Sequence, residues 1–342
     1  MRKLSIILIF ISLVACQEDS QDEVVPFNQQ EALLTIPEGF PEMEFPEGNE
    51  LTKERWELGK RLFYEKRLSI DKSLSCGSCH KPSLAFADDR DFSPGVFNRA
   101  GTRNAPSLAN VGYQPYLLIE GSVPTLEMQV LVPIQEHNEF NHNMVKIVEE
   151  LEQDSSYAAA SVTAYNRPFD GFVLTRAISV FQRTMVSGNS DYDQYTNQGN
   201  SSALSSAERQ GMELFFSNKT NCSSCHGGFN FTNYSFENNG LDSVYADNGR
   251  FRLTNDPNDE ALFKVPSLRN VGLTAPYMHD GRFSTLEEVI EHYNSGGENH
   301  QNKSSHIRPL QLTMEEKTEL VAFLNRLTDY DFVNDPKWKE DN

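Results

Sequence analysis

Two short stretches decide the fold: Cys76-Gly77-Ser78-Cys79-His80 and Cys222-Ser223-Ser224-Cys225-His226. Both match C-x-x-C-H, in which two thiols reach the vinyl groups of one haem as thioethers and the next residue places an imidazole under the iron. A disulfide, a thioredoxin-like dithiol or a zinc site also uses paired cysteines, but none of them needs a histidine directly after the second cysteine. The two stretches therefore predict two covalently bound c-type haems.

The first residues have the features of an export signal. A positive start is followed by an apolar run, Leu4 to Val14, that is too short for a permanent bilayer-spanning helix. The run leads into Leu13-Val14-Ala15-Cys16, which resembles the bacterial lipobox. We therefore expect residues 1–15 to be a lipoprotein signal peptide and Cys16 to be lipidated, with an ordinary signal peptide as the alternative. The expected location is the periplasm, with the protein anchored to a bacterial membrane through lipid.

The net charge of the chain limits the kinds of molecule that it is expected to bind. The formal net charge of −19 argues against nucleic-acid binding and is compatible with a basic electron-donor protein. Residues 16–50 carry many acidic residues and prolines with few clustered apolar residues, which predicts a flexible acidic tether. The rest of the chain is long enough for two domains.

The chain contains an internal duplication. The segment Pro106–Gly112 (PSLANVG) returns 160 positions later as Pro266–Gly272 (PSLRNVG). At the same offset, Thr125-Leu126-Glu127 returns as Thr285-Leu286-Glu287, and both triplets are typical of a helix start with an acidic first turn. The period is too long for a solenoid, so it indicates two related domains.

Each haem motif is expected to follow a helix, because Thr52 and Ser205 are suitable N-caps for segments with apolar residues at helical spacing. The predicted fold class is mainly α and loop-rich, with two cytochrome c-like haem domains. We assign residues 51–190 to the N-terminal domain, residues 191–330 to the C-terminal domain and residues 331–342 to a tail.

The same offset distinguishes the two haems. Position 133 in the first half corresponds to position 293 in the second. Pro133 has no side-chain donor for iron, whereas the phenolate of Tyr293 ligates ferric iron well. We therefore expect an open first haem and a second haem closed by Tyr293, although a tyrosine on a helix can also serve packing alone.

An open haem that cleaves the peroxide O–O bond needs a group that moves a proton between the two oxygens. Glu139 follows Pro133 by six positions and Gln129 precedes it by four, so both belong to the segment expected over the first haem. His137 and His142 are weaker candidates, and a solvated Glu139 remains the alternative.

At these residues the sequence resembles the bacterial di-haem cytochrome c peroxidase family, including its MauG-like branch. The similarity runs from about Leu51 to Leu327. Its anchors are Leu68-Ser69, Arg103–Leu108, Leu126–Gln129, Pro133-Ile134 with Glu139, and Thr274–Phe283.

The resemblance implies roles for individual residues. His80 and His226 would be the proximal ligands, Glu139 the catalytic acid/base, and Gln129 and Pro133 the lining of the peroxide pocket. At the position of Tyr293 the peroxidases usually have methionine and the MauG-like branch has tyrosine, with His292 and Met278 as the fallback ligands here.

The resemblance also implies a calcium ion between the haems. It would be held by the side chain of Asn104 and the backbone carbonyls of Thr274 and Pro276, and completed by water.

Two departures from the family pattern bear on mechanism. The loop of residues 85–99 lacks the histidine that in many family peroxidases blocks the resting first haem, which suggests a site that needs no reductive activation. Ile119 stands where the family has a tryptophan between the haems, which puts the usual electron route in doubt.

Three functions remain open at this stage. The leading one is reduction of H2O2 at the first haem, with electrons from a small c-type cytochrome or cupredoxin delivered through the second. The alternatives are a MauG-like enzyme that oxidises residues of a partner protein, and a lipid-anchored electron-transfer cytochrome without enzymatic activity. A homodimer is compatible with each of them.

Overall fold

The computed structural model describes residues 32–340, so the predicted signal peptide, the lipidation site Cys16 and the start of the predicted tether lie outside the described residues. The described chain is mainly helical and rich in loops, as the sequence predicted. Its principal α-helices are α1 (Lys53–Phe63), α2 (Cys76–Cys79), α3 (Leu126–Gln129), α4 (Leu131–Gln135), α5 (Met144–Glu152), α6 (Ser155–Tyr165), α7 (Gly171–Arg183), α8 (Asp191–Thr196), α9 (Ser206–Phe215), α10 (Phe251–Thr254), α11 (Leu286–Ser295), α12 (Met314–Asn325) and α13 (Tyr330–Asn334). Two short antiparallel strands, β1 (Phe236–Glu237) and β2 (Phe263–Lys264), form a small ribbon.

Each half is built on one tightly packed helix pair. In the first half α1 lies against α7, and in the second α9 lies against α12. The predicted N-caps are present, since the hydroxyl groups of Thr52 and Ser205 accept hydrogen bonds from the first turns of α1 and α9. Both helices precede a haem motif, as predicted.

A glycine in each pair allows the backbones to touch. A Cβ atom at Gly59 would lie 2.0 Å from the carbonyl oxygen of Ala177, and one at Gly211 would lie 1.9 Å from that of Glu319. Both distances are far below van der Waals contact, so no larger residue fits without moving a helix. The two halves therefore share the same close helix contact.

The duplication extends to loop geometry. Leu117 N donates to Val123 O at 2.7 Å, and at an offset of 160 Tyr277 N donates to Phe283 O at the same distance. Asn110 and its counterpart Asn270 both adopt a left-handed backbone with φ of 61°, a conformation that asparagine tolerates. The repeated sequence thus folds as a repeated structure.

The two halves contact each other through a reciprocal pair of backbone hydrogen bonds. Asn104 N donates to His279 O at 2.9 Å, and Lys264 N donates to Ile119 O at 2.7 Å. These four residues exchange places under the 160-position offset, so the contact has the self-complementary form of a two-fold interface.

Buried amides reinforce this interface. Asn110 Nδ2 donates to Ser187 O and to Asn230 Oδ1, and Asn270 Nδ2 donates to the Ser187 hydroxyl. Asn270 Oδ1 in turn accepts from Asp329 N. Satisfied polar networks of this kind fix one relative orientation of the elements that they join.

The structure differs from the sequence expectation in the predicted tether. Met43 and Asn49 are buried, and Asn49 is hydrogen-bonded to Glu127, Ser179 and Tyr165. Apart from Leu33-Leu34, the larger apolar residues in the described part of this segment stand singly in the sequence. Leu33, Leu34 and Phe45 pack against the core of the first half, so this part lies on the body although it contains no long apolar run.

The predicted tail also differs from the expectation. Phe332, Val333 and Trp338 are buried in the core of the first half, where the Trp338 ring lies 5.8 Å from Phe86 and 6.0 Å from Phe181 between centroids. Burying a tryptophan and a phenylalanine stabilises the fold by several kcal/mol on the scale of about 25 cal/mol per Å². The end of the chain thus closes the N-terminal domain.

Within residues 32–340 no helix has the length and apolar character needed to cross a membrane.

Alanine at Gly59 or Gly211 is expected to destabilise the protein by about 1–3 kcal/mol through overpacking. Helix propensity alone predicts the opposite, a gain of about 1 kcal/mol. The helical Gly171 is the matched control, because a Cβ there meets only the flexible side chain of Met144 at 3.4 Å. Denaturant unfolding of the three alanine variants measures the difference. A stability of Gly59→Ala equal to that of Gly171→Ala would show that the helix contact is not tight.

Candidate functional site

The first motif forms a short helical turn. Helix α2 (Cys76–Cys79) begins at a capping box formed by Ser75 and Ser78 and ends at His80. His80 Nδ1 lies 2.8 Å from the carbonyl oxygen of Phe86, to which it donates, so Nδ1 carries the proton and Nε2 is the nitrogen with the lone pair that a metal ligand needs.

The second motif repeats this arrangement. Cys222–Ser224 forms a 3₁₀ turn, and His226 Nδ1 donates to the carbonyl oxygen of Phe231 at 3.2 Å. Burial lowers the pKa of His80 and lowers that of His226 to about 4, so both imidazoles are neutral, which is the ligating form.

The thiols fit haem attachment better than the alternatives. The four motif cysteines are free and half-buried. Burial raises the pKa of Cys76 to about 12 and that of Cys225 to about 11, whereas a thioredoxin-like pair needs a lowered pKa. In the part of the chain that the structure describes, no group of three or more His, Cys, Asp and Glu side chains is arranged to hold a metal ion. Paired thiols, each pair followed by a neutral imidazole whose Nδ1 is fixed by a backbone carbonyl, are therefore suited to two c-type haems.

Glu139 lies close to the first motif. Its backbone is fixed by bonds from Glu139 N to Glu136 O at 3.0 Å and from Val96 N to Glu139 O at 2.8 Å. Burial is the main cause of the raised pKa of the Cys76 and Cys79 thiols, and the Glu139 charge contributes to both. The carboxyl group is thus within electrostatic range of the two cysteines.

The surrounding protein changes the electrostatics of the Glu139 carboxyl group. The side chain is accessible to solvent, yet the surrounding protein desolvates its carboxyl group. This desolvation, together with the like charge of Glu136, raises the pKa of Glu139 to about 7. A carboxyl group with this pKa exchanges protons readily at neutral pH.

Gln129 and Pro133 lie just before Glu139. Gln129 is the last residue of α3, and Pro133 lies in α4. The carbonyl oxygen of Pro133 accepts a hydrogen bond from Phe140 N at 3.1 Å. Both residues are half-buried, while the intervening Val130 is buried in the core of the first half.

The two histidines near Glu139 point elsewhere. His137 is exposed, and its Nδ1 lies 3.2 Å from Arg99 Nη1. Burial lowers the pKa of His142, and the charges of Glu150 and Lys72 act on this pKa in opposite directions. Glu139 therefore remains the best placed titratable group of this segment.

Tyr293 occupies the corresponding place in the second half. It lies on α11 (Leu286–Ser295), which is capped by Thr285 just as α3 is capped by Thr125. Burial raises the pKa of Tyr293 to about 12, and the charges of Cys222 and Cys225 contribute in the same direction. The phenol is therefore close to the second motif.

The two fallback ligands are already hydrogen-bonded. His292 Nε2 lies 3.1 Å from the backbone oxygen of Asn239, and Met278 Sδ accepts from Asn239 Nδ2 at 3.3 Å. A side-chain hydrogen bond from Asn239 also lowers the pKa of Tyr293, against the larger effect of burial. Sequence reasoning missed Asn239, because it lies in a loop outside the repeated segments.

The three residues implied for calcium lie near the contact between the halves. Asn104 donates through its backbone to His279 and through Nδ2 to Arg90 O at 2.9 Å, which leaves Oδ1 free to accept. Among residues 32–340, no hydrogen bond ends on Asn104 Oδ1, Thr274 O or Pro276 O. Neutral oxygens without donors suit a hard cation such as Ca²⁺.

The chain is similar to known di-haem proteins. Residues 53–201 match the family model described as di-haem cytochrome c peroxidase. The methylamine utilization protein MauG of Methylorubrum extorquens is 36% identical over 85% of this chain and 82% of its own length. The cytochrome c peroxidase Ccp of Escherichia coli is 30% identical over 94% of this chain and 66% of its own length. The crystal structure of a MauG-like protein associated with microbial copper homeostasis is 35% identical, covers 89% of this chain and 97% of that one, and superposes with a TM-score of 0.84.

Replacing Tyr293 by methionine tests its place as a ligand. Loss of the phenolate, which stabilises ferric iron, is expected to raise the midpoint potential of one haem by on the order of 0.1 V or more and to leave the other unchanged. Tyr277→Phe is the control, because its hydroxyl bonds to Val271 O in the same core. Spectroelectrochemical titration gives both potentials. If both midpoint potentials of Tyr293→Met equal those of the wild type, Tyr293 is not a ligand of the iron.

Proposed function

Because the chain belongs to the di-haem cytochrome c peroxidase and MauG family of oxidoreductases, we propose that it reduces H2O2 to water at its first haem. Two electrons and two protons balance the conversion of one H2O2 to two waters. In this proposal the electrons come from a small redox protein and pass through the second haem. The observation that carries the proposal is Glu139, whose pKa is raised to about 7 beside the first motif.

The residues over the first haem have distinct tasks. The haem, when bound through Cys76, Cys79 and His80, supplies the iron that takes up peroxide and the electrons that reduce it. Glu139 accepts the proton of the peroxide oxygen nearer the iron and returns it to the farther oxygen, which then leaves as water. The raised pKa makes both transfers easy near neutrality.

Two neighbours complete the pocket in this proposal. The Gln129 amide would orient peroxide by hydrogen bonding, and Pro133, which has no side-chain donor, would not compete with peroxide for the iron. In the second half, His226 and Tyr293 would hold the haem iron, and a haem held by two protein ligands would supply electron transfer only.

A MauG-like activity on a partner protein is the second candidate. Tyr293 and the 36% identity to MauG favour it. Ile119 counts against it, because long-range oxidation of a partner is easier with an aromatic relay at that position. Catalytic turnover of peroxide with a reduced c-type cytochrome as donor supports the peroxidase, whereas absence of turnover together with oxidation of a partner protein supports the alternative.

A pure electron-transfer cytochrome explains the structure less well. Such a protein has no use for a carboxyl group with a pKa of about 7 close to the cysteines of the first motif. The remaining parts of the proposal are a periplasmic location with a lipid anchor at Cys16, a cytochrome or cupredoxin donor, and a calcium ion at Asn104, Thr274 and Pro276.

Glu139→Gln is expected to lower the turnover number about 100- to 10,000-fold, because the amide keeps the shape of the side chain but cannot move the proton. Glu136→Gln is the matched control: it removes the neighbouring exposed carboxylate and leaves Glu139 in place. Steady-state peroxide reduction by both variants, with haem content checked from absorption spectra, measures the effect. Near-normal turnover in Glu139→Gln would exclude Glu139 from the mechanism.

Peroxide turnover is also expected to depend on pH through one ionisation. The carboxylate form of Glu139 accepts the first proton, so kcat/KM should be low when the group is protonated and rise as the pH increases through about 7. In Glu136→Gln the midpoint should move to lower pH, since a like charge that raises the pKa of Glu139 has been removed. A profile that is flat from pH 5 to pH 9 would contradict this assignment.

A further inference from the structure

Lys264 carries a buried amine with no carboxylate partner. The residue lies in β2 at the contact between the halves and is only 9% exposed. Its Nζ donates to Gln114 Oε1 and to the backbone oxygen of Tyr116, both at 2.6 Å. No carboxylate within residues 32–340 lies at ion-pair distance from Nζ. The charge of Glu120 is near enough to raise the pKa of Lys264, but its effect is smaller than that of burial. Burying a cation against neutral oxygens is costly, so the arrangement needs a reason.

The duplication supplies the reason. At an offset of 160, Lys264 corresponds to Asn104, and the backbone nitrogens of both residues make the reciprocal bonds across the interface. The two residues are therefore equivalent in space as well as in sequence.

The residues around Lys264 follow the same correspondence. Tyr116, whose backbone carbonyl accepts from Nζ, corresponds to Pro276, and Gln114 corresponds to Thr274, although Gln114 accepts from Nζ through its side-chain Oε1. Pro276 and Thr274 are the residues whose carbonyls are proposed to hold calcium together with Asn104. One half thus contributes two residues around a cation position, and the other half contributes the third residue.

We propose that the interface contains two equivalent cation positions, and that the ammonium group of Lys264 permanently fills one of them in place of a metal ion. The other position, at Asn104, is the calcium site of the proposed function, on which this inference rests. A lysine side chain of this length brings its own cation to the oxygens, whereas the shorter asparagine supplies an oxygen and leaves room for an ion.

The amine of Lys264 is charged at neutral pH. Burial lowers its pKa to about 8, so it is still mostly protonated at pH 7, and the charge of Glu120 acts to raise this pKa. Glu120 is itself bonded by Arg103, which also bonds Asp247 of the second half. A fixed cation here joins the second half to the loop of Gln114 and Tyr116 in the first, and holds the halves together without an external ion.

Lys264→Asn tests the proposal by restoring the side chain found at the equivalent position. The haem-loaded variant is expected to bind one more calcium ion per chain than the wild-type protein. Its melting temperature should be below that of the wild type in a chelator and should rise by about 5 °C or more with saturating Ca²⁺. Metal analysis after gel filtration and thermal melts with CaCl2 or EDTA give both quantities.

Lys264→Met is the matched control, because it removes the charge at similar length without adding an oxygen. It should bind as much calcium as the wild type. Its melting temperature should lie below that of the wild type by the same amount in CaCl2 as in EDTA. An equal response of Lys264→Asn and Lys264→Met to Ca²⁺ would overturn the proposal.

The reciprocal variant Asn104→Lys provides a test that does not depend on the folding of either Lys264 variant. It should lose the wild-type calcium ion and melt at the same temperature in CaCl2 and EDTA, whereas Asn104→Ala should lose the ion and be destabilised in both. If Asn104→Lys is as unstable as Asn104→Ala, the two positions are not equivalent. A wild-type protein that binds no calcium would contradict the calcium site at Asn104, and the comparison of Lys264→Asn with Lys264→Met would still decide the role of Lys264.

Discussion

The reciprocal backbone bonds Asn104–His279 and Lys264–Ile119 are the constraint on which the rest of the structure depends. They join two copies of one scaffold, each with a tight helix pair, a haem-attachment turn and a helix capped by a threonine. Because the two scaffolds are alike, any functional difference between the halves has to come from individual side chains. The roles of the two proposed haems are therefore determined by a small number of substitutions within a common frame.

Those substitutions have opposite electrostatic results. In the first half, position 133 is a proline without a side-chain donor, and desolvation of Glu139 gives a carboxyl group that exchanges protons near neutral pH. In the second half, the phenol of Tyr293 lies within electrostatic range of the motif cysteines, and Asn239 hydrogen-bonds His292, Met278 and Tyr293 alike. These differences are the basis of the proposal that one half reacts with peroxide and the other stores electrons.

The sequence predicted the local features well, because a haem motif, an N-cap or a repeated heptapeptide consists of residues that are close together in the chain. It also predicted that helices begin after Thr125 and Thr285, which the capping hydroxyls of both residues confirm. The packing of Asn49 against Ser179 and of Trp338 against Phe181 could not be predicted, since each pair is separated by more than 100 positions in the chain. The raised pKa of Glu139 likewise depends on the fold, because composition alone favours a solvated carboxylate in that polar stretch.

The central claim is that one haem is open and the other closed before any reductant is added. Electron paramagnetic resonance of the as-isolated diferric protein tests it most directly, because high-spin and low-spin ferric haems give separate signals. The account predicts one high-spin signal and one low-spin signal of equal spin count, with azide or cyanide converting only the high-spin species. Two low-spin haems in the absence of added ligand would contradict it.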